Sequence, residues 1–294
     1  MGKDHDLGEL LRGYAFLAPL CAFLLVFVFL PVAGTVLDSL QRDVTFLPER
    51  FIGLGNYRSL WSDPGFRQSL LFTGLFTLVS VPLELALGLA FALLLEHRSP
   101  VRGLLRALVL IPWAIPAAVS GRLFELIFNV QYGLANAFAT GIGLSEGPVH
   151  WLGTSGGAFL ALVAADAWKT TPFVAILLLA GLSAIPEDLY RQAEVDRAGL
   201  LQRLFRVTLP LLRPVLVVAL LFRTIDSLRV FDLVFVLTGG GPGGSTTSLS
   251  MYGYRFFVGG DFGYGSAVSV VLFLAAFLFS LLYLRAARFG REIA

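Results

Sequence analysis

The chain has 294 residues, 56% of them hydrophobic and 14% charged, with a formal net charge of +2 and a mean hydropathy of +0.79. A soluble domain carries about 25% charged residues; this chain has too few to cover a soluble core, so the composition excludes a soluble globular protein and points to a polytopic membrane protein. No basic cluster interleaved with aromatics is present, which excludes a nucleic-acid partner, and the single cysteine, Cys21, excludes an intramolecular disulfide and a cysteine-rich metal site.

Residues 1–13 read as a short polar segment ahead of a first apolar run, Tyr14 to Leu37, which lacks a small-residue cleavage site and is expected to be a retained helix rather than a signal peptide. Pro31 should kink that helix or mark its exit. A polar loop follows, holding Phe51-Ile52-Gly53-Leu54-Gly55-Asn56-Tyr57 with glycines at turn positions. The second span is expected over Gln68 to Leu95, and a tight connector carries His97, Arg98 and Arg102. The third, Leu104 to Phe128, holds Pro112 and Pro116 four residues apart. Such a pair frees backbone carbonyls at membrane depth, which is tolerable only inside protein or along a wet cavity. A Gly-rich loop from Asn129 to Ser155 has no Lys or Arg. The fourth span, Gly156 to Ala184, is expected to break at Trp168-Lys169-Thr170-Thr171-Pro172-Phe173.

Pro186 to Pro214 is polar, cationic and helix-like in spacing. Its apolar positions Val195, Leu200, Leu201, Leu204 and Phe205 alternate with Arg191, Glu194, Arg203 and Arg206. Such a face either lies on anionic lipid or docks into a groove of a partner. The fifth span is placed at Pro214 to Leu237, ending in a glycine-rich loop from Thr238 to Gly244, and the sixth at Gly263 to Tyr283. The expected fold is therefore an all-α, six-span membrane domain over residues 14–284 with a short tail, 285–294. Basic residues set the orientation: thirteen fall in the segments on the N-terminal side of the membrane and five in the opposite loops, which places both termini and the 186–214 segment in the cytoplasm.

Glu84, Arg122, Glu125, Asp166, Lys169, Arg223, Asp226, Arg229 and Asp232 all fall within the proposed spans. An ionised group at mid-membrane costs at least about 2.5–3.5 kcal/mol, so they cannot face lipid. Arg122/Glu125, Asp166/Lys169, Arg223/Asp226 and Arg229/Asp232 are oppositely charged and three apart, the spacing of neighbouring helical turns. They serve either as ion pairs that hold a bundle together or as the lining of a hydrated path. Lys169, Arg223 and Asp226 lie near span middles and suit the second role, a midplane site for a hydroxylated solute with Trp113, Trp168 and Phe173 as candidate stacking surfaces. Glu84, beside Pro82, is ambiguous. The competing reading of the same charges is a secondary transporter that uses the intramembrane carboxylates for proton coupling. No phosphate-binding loop, HExxH or GxSxG occurs, so a membrane-embedded enzyme is disfavoured.

The run Leu189-Tyr190-Arg191-Gln192-Ala193-Glu194-Val195-Asp196-Arg197-Ala198, followed by Val207-Thr208-Leu209-Pro210-Leu211-Leu212-Arg213-Pro214, resembles the EAA motif of ABC-importer permeases. With the Phe51–Tyr57, Pro112–Pro116, Trp168–Phe173 and Thr238–Pro242 motifs, nearly the whole chain resembles the MalF-type sugar permeases, with a look closest to those for trehalose and maltose. The resemblance implies several partners: a second, MalG-like permease subunit, two cytoplasmic ATPase subunits, an extracytoplasmic sugar-binding protein and the bilayer of the cytoplasmic membrane. It implies no cofactor in this chain, with ATP and Mg held by the ATPases. It also implies ATPase contacts at Tyr190, Arg191, Ala193, Asp196, Arg197, Ala198 and Leu201. Matched by position, sugar contacts fall at Trp113 and Ala117, at Lys169, Thr170 and Phe173, and at Arg223, Asp226, Ser227 and Val230. Two positions depart from the motif: its Glu is Arg191, and its turn Gly is Arg197. If that turn needs a positive φ, arginine there costs about 1 kcal/mol or more.

Overall fold

The computed structural model describes residues 3–96 and 100–289; of the residues used above, His97, Arg98 and residues 290–294 of the tail lie outside them. The chain divides into two compact units, residues 1–62 with 253–271 and residues 63–252 with 272–294.

In the first unit, helix α1 (Lys3–Leu24) passes through a π turn, Leu25–Phe29, into α2 (Leu30–Ser39). Pro31 therefore neither ends nor breaks the span. A proline ring crowds the carbonyl four residues back, and the wider turn placed just before Pro31 gives that carbonyl room. Strands β1 (Gln41–Arg42) and β2 (Arg50–Phe51) pair antiparallel, with Gln41 opposite Phe51. Gly53 takes φ +57°, and helix α3 (Gly55–Ser62) brings Asn56 back to the end of α2, where its Nδ2 donates to the carbonyls of Ser39 and Gln41 at 2.9 and 2.8 Å. The glycine-asparagine motif thus satisfies carbonyls that a helix end leaves open.

The second unit is built on α4 (Pro64–Glu96). Helices α5 (Arg102–Ala114) and α6 (Ala117–Ile127) follow, then α7 (Leu134–Gly141) and α8 (Ser155–Ser183), which packs along α4. A Cβ on Gly88 would fall 2.4 Å from Cγ1 of Val174 and 3.2 Å from the backbone nitrogen of Ala175. Glycine is what lets these two backbones approach, and in lipid such close packing supplies much of the helix–helix attraction. Ala92 on α4 and Ala161, Ala165 and Ala175 on α8 are fully buried. The expected break at Trp168–Phe173 does not occur: α8 runs unbroken through Pro172. Proline removes one backbone hydrogen bond but keeps a helical φ, and its neighbours Thr171 and Val174 are enclosed by packing.

Beyond α8, a short helix α9 (Glu187–Val195) is followed by α10 (Leu200–Arg203), a second π turn (Leu204–Thr208) and α11 (Leu209–Leu228). Two expectations change here. The amphipathic stretch is two helices, parted at Asp196–Gly199. The fifth span begins at Leu200 rather than Pro214, because the π turn again falls just before a proline, Pro210, and carries the helix through it. That span also ends early, at Leu228, and α12 (Asp232–Leu237) is a separate helix. Helices α13 (Leu249–Val258) and α14 (Phe262–Phe289) complete the described residues.

Among the described residues, five helices are long and apolar enough to cross a membrane: Tyr14–Ser39, Pro64–Glu96, Ser155–Ser183, Leu200–Leu228 and Phe262–Arg285. The pair α5 and α6, bent by 91°, makes a sixth if taken as one span. The nearly all-helical, multi-span fold agrees with the composition.

Candidate functional site

The bend between α5 and α6 falls where the two prolines predicted freed carbonyls. Ile115 is extended, with ψ 132°, and Pro116 opens α6 with ψ 144°. The carbonyls of Trp113 and Ile115 thereby lose the donors a continuous helix would have set above them. Lys169 of α8 replaces those donors: its Nζ donates to Ile115 O at 2.6 Å and to Trp113 O at 3.3 Å. The expected Asp166–Lys169 pair is thus not the one Lys169 makes, because two fixed carbonyls lie within its reach across the helix interface.

One helix away, Arg223 of α11 is 4% exposed and meets three carboxylates. Its Nε donates to Glu84 Oε2 at 2.6 Å and its Nη2 to Glu84 Oε1 at 3.2 Å, a two-pronged grip on a side chain that is 0% exposed. Nη2 also reaches Asp166 Oδ2 at 3.2 Å, and Nη1 reaches Asp226 Oδ2 at 3.4 Å. A buried charge persists only when paired and hydrogen-bonded, and α4, α8 and α11 each contribute to this pairing. Asp226 accepts a second time, from Arg229 Nη2 at 2.7 Å. The expected Arg229–Asp232 pair fails because α11 stops at Leu228, so the two residues do not share a helix. Arg122 and Glu125 do pair, at 2.5 Å, on an exposed face of α6.

Between these two clusters opens a cavity of about 490 Å³ whose lining includes Trp113, Ala117, Asp166, Lys169, Thr170, Arg223, Asp226, Arg229, Val230 and Asp232. Most of the sugar-contact positions named from the sequence therefore lie together on one wall-set, drawn from α5, α6, α8, α11 and the α11–α12 link. Two do not line it. Phe173 stacks behind Trp113, with ring centroids 5.9 Å apart and planes at 22°, and Ser227 is buried, its hydroxyl donating to Thr77 Oγ1 at 3.1 Å. Asp166, Arg229 and Asp232, absent from the matched positions, do line it. All three carried a signal in the sequence, as charges inside apolar runs. Glu84 carried the same signal, and only its partner, 139 residues away, gives it a place.

In the segment expected to meet the ATPases, Tyr190 of α9 is tied to the following span through Thr208, hydroxyl to hydroxyl at 3.1 Å. Ala193 is buried, whereas Arg191, Asp196, Arg197 and Leu201 are exposed. Arg191 pairs along its own helix with Glu187 at 3.4 Å and Asp188 at 3.7 Å. Arg197 has φ +55°. Around it Ala198 N donates to Ala193 O and Arg197 N to Glu194 O, both at 2.9 Å, the pair of bonds by which a left-handed residue closes a helix end. Arginine thus occupies a conformation that favours glycine. Arg203 braces the turn, with Nη1 on Glu194 Oε1 at 2.7 Å and Nε on Ala198 O at 2.9 Å.

Residues 84–289 match the family of binding-protein-dependent transport system inner membrane components. The chain is 53% identical over 281 residues to the trehalose/maltose transport system permease protein MalF of Thermococcus litoralis, covering 95% of each. It is 42% identical over 286 residues to the sulfoquinovosyl glycerol transport system permease protein SmoG of Agrobacterium fabrum, covering 96% of this chain and 92% of that one. Its fold superposes on a chain of a bacterial ABC transporter that imports the acidic polysaccharide alginate, with a TM-score of 0.79, 24% identity and 97% of each chain covered. These relatives lend no support to a proton-coupled secondary transporter. The chain belongs to the binding-protein-dependent transport system inner membrane components: it is a multi-pass permease subunit of an ABC importer.

Proposed function

We propose that this permease carries a sugar, an α-glucoside disaccharide such as trehalose or maltose, through the cavity between α5, α6, α8 and α11. The observation that carries the reading is the chemistry of that cavity. Its lining combines an exposed indole, Trp113, with the carboxylates of Asp166 and Asp226 and the guanidinium of Arg229. A sugar presents an apolar ring face and a belt of hydroxyls, and that pair of surfaces meets both. The cavity's volume lies within the range of small-molecule sites, about 300–1,000 Å³. The identity to a trehalose/maltose permease narrows the sugar class.

In this reading Trp113, Lys169, Thr170, Arg223, Asp226 and Val230 border the path, Phe173 backs Trp113, and Ser227 holds α11 to α4. Both termini and α9 face the cytoplasm. There α9, with Tyr190, Arg191 and Ala193 on it and Asp196, Arg197, Ala198 and Leu201 in the turn and helix after it, docks on one of two ATPase subunits, which hold the ATP and Mg. A second permease completes the pathway, and an extracytoplasmic binding protein delivers the sugar. ATP-driven closure of the ATPases displaces α9. Its tie through Tyr190 and Thr208 passes that motion to α11, which carries Arg223 and Asp226.

The test is Asp226→Ala in the assembled importer, reconstituted in proteoliposomes with its partner subunits and binding protein. Uptake is expected to fall about 10–100-fold, the worth of a hydrogen bond to a charged group, while the complex still assembles. Wild-type uptake by that variant removes Asp226 from the path.

A further inference from the structure

We infer that Glu84 is a positioning residue for transport: from outside the cavity it sets the orientation of Arg223 and, through Arg223, of the two carboxylates that face the solute. The inference rests on the sugar path proposed above.

Glu84 is fully enclosed and does not line the cavity. It engages Arg223 with both oxygens, on Nε and Nη2. A two-point contact fixes the plane of a guanidinium, where a single contact lets it swing. With that edge held, the remaining donors have fixed directions. Nη2 points at Asp166 and Nη1 at Asp226, and these are the two carboxylates that border both Arg223 and the cavity. Asp226 is 40% exposed and Asp166 10% exposed at the side chain, against 4% for Arg223. The order of burial is therefore Glu84, Arg223, Asp166, Asp226, running from the α4 side out to the solute.

The backbone supports the same reading. Gly88, one turn beyond Glu84, brings α4 against α8 at Val174 and Ala175, and Ser227, one turn beyond Arg223, bonds to Thr77 of α4. These contacts already join α4 to α8 and to α11. An ion cluster needed only as glue would duplicate them. What the packing contacts cannot do is aim the guanidinium, and Glu84 does that.

Glu84→Gln keeps the size and one acceptor and removes the charge and the two-point grip. It is measured in the reconstituted importer as sugar moved per ATP hydrolysed. A purely structural defect lowers the number of competent complexes, so uptake and ATP hydrolysis fall together and their ratio stays put. A misaimed Arg223 lowers the ratio itself, and it is read on whatever fraction assembles. About a tenfold fall in the ratio is expected, the loss of one charged hydrogen bond. Glu84→Leu combined with Arg223→Met, an apolar pair that needs no charge partner across the α4–α11 interface, serves as the second variant and is also expected to have a low ratio. Asp226→Ala is the reference. If Asp226→Ala lowers the ratio while Glu84→Gln leaves it at the wild-type value, or if the Leu/Met pair restores it, Glu84 acts only as structure and the inference is overturned. If Asp226→Ala also leaves it unchanged, the sugar path itself is misplaced.

Discussion

Among the described residues, the arginine–carboxylate cluster beside the cavity and the pairs along α9 have opposite consequences. Beside the cavity, Glu84 is fully enclosed and Arg223 is 4% exposed, so the pair is largely shielded from water. Along α9, Arg191 pairs with Glu187 and Asp188 through side chains that are mostly exposed, where such pairs contribute about 0–1 kcal/mol. Similar distances therefore do not mean similar energies. Burial decides: the enclosed pair holds the Arg223 guanidinium in one orientation, while the exposed pairs leave α9 free to present its charges. The turn's strength comes instead from backbone bonds and from Arg203, which spans the gap between the two helices.

The contrast is most sharply broken by Arg223→Met. Three carboxylates would lose their buried cation, and removing one member of such a set costs about 3–5 kcal/mol. A large drop in the thermal unfolding temperature of the detergent-solubilised protein is expected; an unfolding temperature equal to that of wild type would mean water already reaches the cluster. Lys169→Met tests the other edge of the cavity. It leaves the Ile115 and Trp113 carbonyls without their donor, at about 1–3 kcal/mol for each group that water cannot reach. Since the Trp113 contact is exposed and the Ile115 contact part-buried, the expected loss is about 1 kcal/mol, read as a smaller drop in unfolding temperature together with increased accessibility at Trp113 by fluorescence quenching. Arg197→Gly should act least and in the opposite direction. Relief of the left-handed strain, about 1–2 kcal/mol, is partly offset by the greater freedom glycine gives the unfolded chain. A small rise in unfolding temperature is expected, with sugar-stimulated ATP hydrolysis equal to or above wild type. A severe loss of that activity would show that the arginine side chain itself makes a contact the turn depends on.

Much of this was legible in the chain. The apolar runs locate the spans because about 20 apolar residues suffice to cross the hydrocarbon core, and the Pro112–Pro116 pair marks the bend. Span limits at the other prolines were not legible. Pro31 looks like a kink or an exit and Pro214 like a start, yet a π turn ahead of Pro31 and another ahead of Pro210 carry their helices through, and nothing in composition separates a proline that stops a helix from one whose clash is relieved. Pro172 looked like a break and is none, because the packing around it holds the helix. The charged residues were legible as a set, and their pairing only in part. The spacing rule found Arg122–Glu125 and Arg223–Asp226, both on continuous helices, and misassigned Asp166–Lys169 and Arg229–Asp232.

By itself the sequence determined the membrane class, the approximate spans, the family motifs, and the position at which an arginine stands in a glycine turn. These are local properties, set by runs and spacings along one chain. Tertiary structure alone decided which carboxylate holds Arg223, which carbonyls Lys169 caps, and which of the expected residues, such as Phe173 and Ser227, stand behind the cavity wall. The reason is physical. Helical spacing reports neighbours on one helix, whereas a buried charge takes whichever partner the packing of adjacent helices brings within about 3 Å, and here that packing is set by the close approach of α4 and α8 at Gly88.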